Sequence, residues 1–206
     1  RPSDIELERL RTLTLSEDTV REFWLWLTSI LFGGGGENPT ADRFKNDFGA
    51  TSPAFADAMA ALREVWGIAR KLPEPQLAFE TWQRYLAVTY GQLGDNGQRA
   101  QLEELFLKHT YLATTARFLV WGALSRGQFD GTLKDEARSI FSGDFFRARN
   151  IENLAEDDFF QWVRRREAAQ LLAPVWERLL AQVLTYSLDR LDEDVLKGVY
   201  QELVAP

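Results

Sequence analysis

The 206-residue chain has no cysteine, one histidine (His109) and one methionine (Met59). Without thiols there is no disulfide framework, no thiolate zinc site and no dithiol redox chemistry, and a reducing cytoplasm is the expected setting. With one imidazole, any Ser/His/Asp design would rest on His109. That residue falls on the apolar side of a long helical stripe, where a structural, hydrogen-bonded histidine is expected. Long apolar runs are also missing. FWLWLTSILF and ARFLVWGAL are shorter than the roughly 20 residues of a membrane span and read as buried helix segments, so no membrane partner is expected. Basic charge is in the minority: 24 Lys and Arg against 31 Asp and Glu give a formal charge of −7, which leaves room only for a local basic stripe.

What is present is core material, with 45% hydrophobic and 13% aromatic residues, enough for one sizeable domain. The spacing predicts an all-α fold: an irregular multi-helix bundle with a long central helix and no significant sheet. It reads as a single helical domain over 1–206, a fragment of a larger chain because it opens on Arg1, with a sub-lobe boundary near 72–76 or 91–97. Ser16 caps a first predicted helix through TVREFWLWLTSILF, which the Gly33 to Gly36 run ends. Ser52 followed by Pro53 starts another, with a turn at Pro73 and Pro75. A third, from Gln76 to Leu93, is expected to pack antiparallel on the second. The longest periodic segment runs from Gln98 to Arg126, with a stripe of Leu102, Leu105, Phe106, His109, Leu112, Ala113, Ala116, Leu119 and Val120. Thr132 with Asp135 forms a capping-box pattern for a short helix ending near Gly143, and SGDFFRARNIENLAEDD after it has loop composition. A helix around DDFFQWVRRR, another beginning near Pro174 and carrying Tyr186, and a last one over 192–206 complete the series.

The chemistry-bearing residues are sparse. The Gly33 to Gly36 run matches no phosphate-binding motif. Glu103 with Glu104, and Asp157 with Asp158, are adjacent pairs not expected to converge on one ion: the first reads as helix solvation, and the second precedes an apolar helical run, where negative charge suits the N-terminal end of the helix dipole. No Glu-x-Lys of a nuclease core, no Glu-x-x-His pair and no Asn-Pro-Pro-aromatic tetrapeptide occurs. Catalytic, cofactor-binding and metal residues are therefore not expected within the chain. The basic cluster is Arg147, Arg149, Arg164, Arg165 and Arg166, interleaved with Phe145, Phe146, Phe159, Phe160 and Trp162. These five are the candidates for contacts to a DNA backbone, against the plainer reading of Arg164 to Arg166 as a solvated helix end.

Three stretches, LFLKHTYLATTARFLVWGAL (Leu105 to Leu124), NLAEDDFFQWV (Asn153 to Val163) and LDEDVLKGVYQELVAP (Leu191 to Pro206), resemble the helical region preceding the catalytic core of large adenine-specific DNA methyltransferases of fused restriction-modification and phage-defence type. The resemblance spans the chain from about Trp82 onward and rests on aromatic and aliphatic patterning. It implies a parent enzyme that transfers methyl from S-adenosylmethionine to adenine N6, with the cofactor held outside these residues. The chain would then be a non-catalytic scaffold that clamps duplex DNA, with Val199, Tyr200 and Leu203 packing the junction to the methyltransferase core. The alternative is a helical protein-protein interaction module that touches no nucleic acid.

Overall fold

The computed structural model describes residue 20 and residues 39–90, 99–125, 132–155 and 158–188. The chain divides into two compact units, Arg1–Gly36 and Glu37–Pro206, and apart from the helical Val20 every described residue belongs to the second. The architecture is all-α, with no sheet among the described residues. The predicted helix after Ser16, the glycine run, the 91–97 boundary and the last helix with Val199, Tyr200 and Leu203 lie outside the described residues.

Three helices begin where a side-chain oxygen accepts from one of their first N–H groups. Helix α1 (Ala41–Phe48) is capped by Thr40, which accepts from the Arg43 amide, and was not anticipated from the sequence. Helix α2 (Pro53–Ala69) starts as predicted: the buried Ser52 hydroxyl accepts from the Phe55 amide at 3.0 Å, and Pro53 occupies the first helical position, where a missing N–H is harmless. The same rule corrects the reading of Pro73 and Pro75. Both sit in the first turn of α3 (Pro73–Tyr90), so the break between helices shrinks to residues 70–72. Helix α4 (Arg99–Ser125) is the long central helix. Helix α5 (Leu133–Ser142) carries the predicted capping box of Thr132 and Asp135 and stops at Gly143, whose φ of 77° favours glycine.

Three expectations for the second half need correction. The stretch expected to be loop contains two one-turn helices, α6 (Asp144–Arg147) and α7 (Glu152–Ala155), because Phe145, Phe146 and Ala155 are buried. The helix expected around DDFFQWVRRR is not a single α-helix over its described residues, because Asp158 to Arg165 lie outside any α-helix and Arg166 belongs to the next one. Asp158 instead accepts from the Phe160 amide at 2.8 Å in a side-chain-closed turn, and a 3-10 turn follows over Gln161–Arg164. Helix α8 (Arg166–Val183) starts eight residues before Pro174 and holds that proline in its interior, while Tyr186 lies beyond its end.

Packing also departs from the expected order. The main partner of α2 is α8, which runs antiparallel to it: Asp57 near the start of α2 meets Arg178 late in α8 at 3.4 Å, and the opposite ends share a groove lined by Ile68, Leu72, Ala168 and Leu171. Helix α4 packs against α2, α3, α5 and α8 in turn, so its buried surface is not one stripe. Leu102, Phe106 and Leu119 are buried as predicted, but Ala116 is exposed and Thr110, Thr114, Thr115 and Arg117 are buried. The buried Thr110 and Thr115 hydroxyls remain satisfied by donating to the Phe106 and Tyr111 carbonyls one turn back, each at 2.9 Å. Gly122 is a matter of space, because a Cβ there would lie 2.5 Å from the Leu188 side chain where the segment after α8 closes on α4. Phe106 anchors the larger aromatic cluster, with the rings of Trp66, Phe79, Trp82, Phe160 and Trp162 around it at centroid distances of 5.2 to 6.3 Å.

Candidate functional site

The five arginines do not form one stripe. Arg147 closes the corner between α5 and α7: its Nη2 donates to the Ser142 carbonyl (2.6 Å) and to Asp144 Oδ1 (2.7 Å), and Nη1 reaches the Ala155 carbonyl at 3.4 Å. Arg149 lies over the Phe145 ring at 3.8 Å and donates to the Phe145 carbonyl at 3.1 Å. Arg164 donates to Gln161 Oε1 at 2.8 Å and is half-buried. Arg165 pairs with Glu74 and so ties the approach to α8 to the first turn of α3. Arg166, the first residue of α8, is exposed, and its side chain makes no hydrogen bond or ion pair to a described residue. Four of the five guanidinium groups thus have structural partners that their sequence spacing did not reveal. Arg147 and Arg149 still present part of their surface to solvent.

The carboxylate pairs are occupied in the same way. Glu104 accepts from Arg63 Nε and Nη2 at 2.9 and 2.6 Å, and this bond from Arg63 holds its carboxyl below the usual range against the opposing effect of burial. Glu103 accepts from Arg70 (3.0 Å) and Arg99 (3.1 Å). Together they brace α2 against α4. Asp157 lies outside the described residues, and Asp158 pairs with Arg117 at 2.6 Å. Among the described residues no group of three or more His, Asp or Glu side chains is placed to hold a metal ion.

Sequence reasoning missed Arg117. It is 4% exposed in the middle of the central helix, and its ion pair with Asp158 fixes the segment that leads to Arg164 and Arg165. The available signal was a lone guanidinium inside the apolar stretch ATTARFLVW, a burial that demands a carboxylate partner.

His109 is built into the wall between α3 and α4. The Trp82 indole N–H donates to its Nδ1 at 3.2 Å, with the two rings edge to face at 5.5 Å, and Phe160 closes another side at 6.2 Å. Nε2 is buried without a partner. Burial, and then the positive charge of Lys108, push the imidazole below its ordinary value. The structure therefore places His109 as a part-buried, hydrogen-bonded residue of an aromatic wall.

Comparison with protein-family models, with curated proteins and with solved structures returned no match. Among the described residues no helix is long and apolar enough to cross a membrane.

Proposed function

We propose that this chain is a non-catalytic helical scaffold that acts by holding other components in place, in the setting its sequence resembles: an adenine-specific DNA methyltransferase with the S-adenosylmethionine-dependent core as its neighbour. The observation that carries the scaffold reading is the cross-bracing of helices by side chains that would otherwise be available for chemistry. Arg63 with Glu104, Arg70 with Glu103, Arg117 with Asp158 and Trp82 with His109 each join two different elements. An enzyme that works on a base must take it out of the stack, so a stiff support for the duplex backbone contributes without reacting. In this chain the clearest phosphate-facing candidate is Arg166, supported by the exposed Arg147 and Arg149. Fluorescence anisotropy with duplex DNA over a salt series tests the clamp. The expected result is an affinity that falls with salt, and Arg166→Glu should lower it further and flatten the salt slope by about one for the lost phosphate contact. No binding even at low salt ends the DNA part of the proposal, and methyl transfer by the purified chain ends the scaffold reading.

The interaction-module reading has its own support. Leu77, Tyr85 and Val88 project outward from α3, with Val88 87% exposed, and Ile68 and Leu171 are exposed on either side of the α2–α8 groove. Tyr85→Glu combined with Val88→Glu separates the two readings: it should abolish association with a protein partner and leave the salt-dependent DNA affinity unchanged.

A further inference from the structure

His109 and Trp82 meet in a geometry that works in only one protonation state. An indole N–H can only donate, so the ring nitrogen facing it must be unprotonated, which puts the single proton of the neutral imidazole on the buried Nε2. A second proton would have to go on Nδ1 and would turn that nitrogen from acceptor into donor, facing another donor. Among the described residues the surroundings offer the resulting cation no free carboxylate. On α4, Lys108 repels it, and Glu104 one turn earlier is taken by Arg63. On the facing segment, Asp158 is taken by Arg117, Arg164 is bonded to Gln161 and Arg165 is paired with Glu74. The charged side chains along α3 beyond its first turn, Glu80 and Arg84, are exposed and bonded within that helix.

The position of this contact gives it leverage. Two other hydrogen bonds between described residues join α3 to neighbouring elements, Arg165 to Glu74 and Arg99 to Gln76, both ending in its first turn, and in its second half the Tyr85 ring meets Phe159 at 6.1 Å. The Trp82–His109 bond lies more than a turn beyond those two hydrogen bonds. We propose that His109 is a proton-operated latch: neutral, it accepts the Trp82 indole hydrogen and holds the second half of α3 on α4; protonated, it releases Trp82 and lets that half of α3 detach. The outer face of this segment carries Tyr85 and Val88, so the latch would control how rigidly those side chains are displayed.

The single histidine makes the test direct, because its Hε1 proton gives one resonance that needs no assignment. In an NMR titration from pH 8 to pH 5, the expected midpoint lies below the ordinary value of 6.5, and the Trp82 indole resonance should move or broaden with the same midpoint. Amide exchange over residues 77–88, corrected for intrinsic rates, should accelerate about tenfold for each pH unit between 6.5 and the folded midpoint. His109→Gln keeps an acceptor for Trp82 and does not titrate, so in this variant the acceleration should disappear. A midpoint at or above 6.5, an indole resonance indifferent to the titration, or unchanged pH dependence in His109→Gln would each overturn the latch. The wild-type titration is decisive by itself if the variant does not fold.

Discussion

A guanidinium in the interior of a helical domain needs a carboxylate within reach, and Arg117 finds one in Asp158, 41 positions further along the chain. The two residues are not equivalent in cost, since Asp158 keeps about a third of its side chain in solvent (35%) while Arg117 is 4% exposed. Asp158→Ala leaves a buried charge with no counterpart, and it also removes the acceptor for the Phe160 amide. Arg117→Met removes the charge and fills most of its volume. Asp158→Ala should therefore destabilise by about 3 kcal/mol or more, and Arg117→Met by clearly less. Urea unfolding of both variants checks the order, and a larger loss for Arg117→Met would show that the guanidinium matters through bonds other than this pair. Residues with local duties were legible in the sequence, as Ser52 and Thr132 show. Arg117, Arg147 and Arg165 were not, because their partners are chosen by how the chain folds back and not by neighbours in sequence.

Helix boundaries followed the same division. Starts marked by a cap and stops marked by glycine were read correctly at Ser52, Thr132 and Gly143. The prolines differ: Pro73 and Pro75 lie in the first turn of α3 instead of breaking the chain between helices, and Pro174 does not start a helix, although proline is best tolerated there. In the fold it lies inside α8, where it cannot donate to the Gln170 carbonyl and normally costs about 3 kcal/mol. Tertiary packing overrides that cost: Leu172, Trp176, Leu179 and Leu180 of α8 are each 2% exposed or less. Pro174 itself is exposed, so Pro174→Ala should restore the missing bond and stabilise the protein by about 1–2 kcal/mol, after part of the gain is offset by the freer unfolded chain. The measurement is a higher urea midpoint. A lower one would mean that the bend set by proline is needed to seat Trp176.

At the scale of the molecule, stability concentrates in the aromatic cluster around Phe106, where side chains from α2, α3, α4 and the 158–165 segment meet. Phe106→Ala removes the common contact and should cost about 3–5 kcal/mol, a large share of the 5–15 kcal/mol typical of a domain. Chemical denaturation and near-ultraviolet circular dichroism would report it. The pH dependence has a definite sign. His109 has a folded pKa below 6.5, so as pH falls under 6.5 the unfolded chain takes up its proton first and folded stability declines until the folded value is reached. Glu104 has a folded pKa below 4.5, so the stability it adds is present above 4.5 and is lost as pH falls through the folded value. Urea midpoints should thus be highest near neutrality and drop in two stages on acidification, with the first stage missing in His109→Gln. By itself the sequence determined the helical class, the capped helix ends and the absence of thiol chemistry, because capping and periodicity act between residues four or fewer apart. Only the tertiary structure decided that α2 lies on α8, that four of the five arginines have internal partners and that Trp82 donates to His109. Those outcomes depend on groups tens of residues apart, brought together by burial of a shared aromatic core.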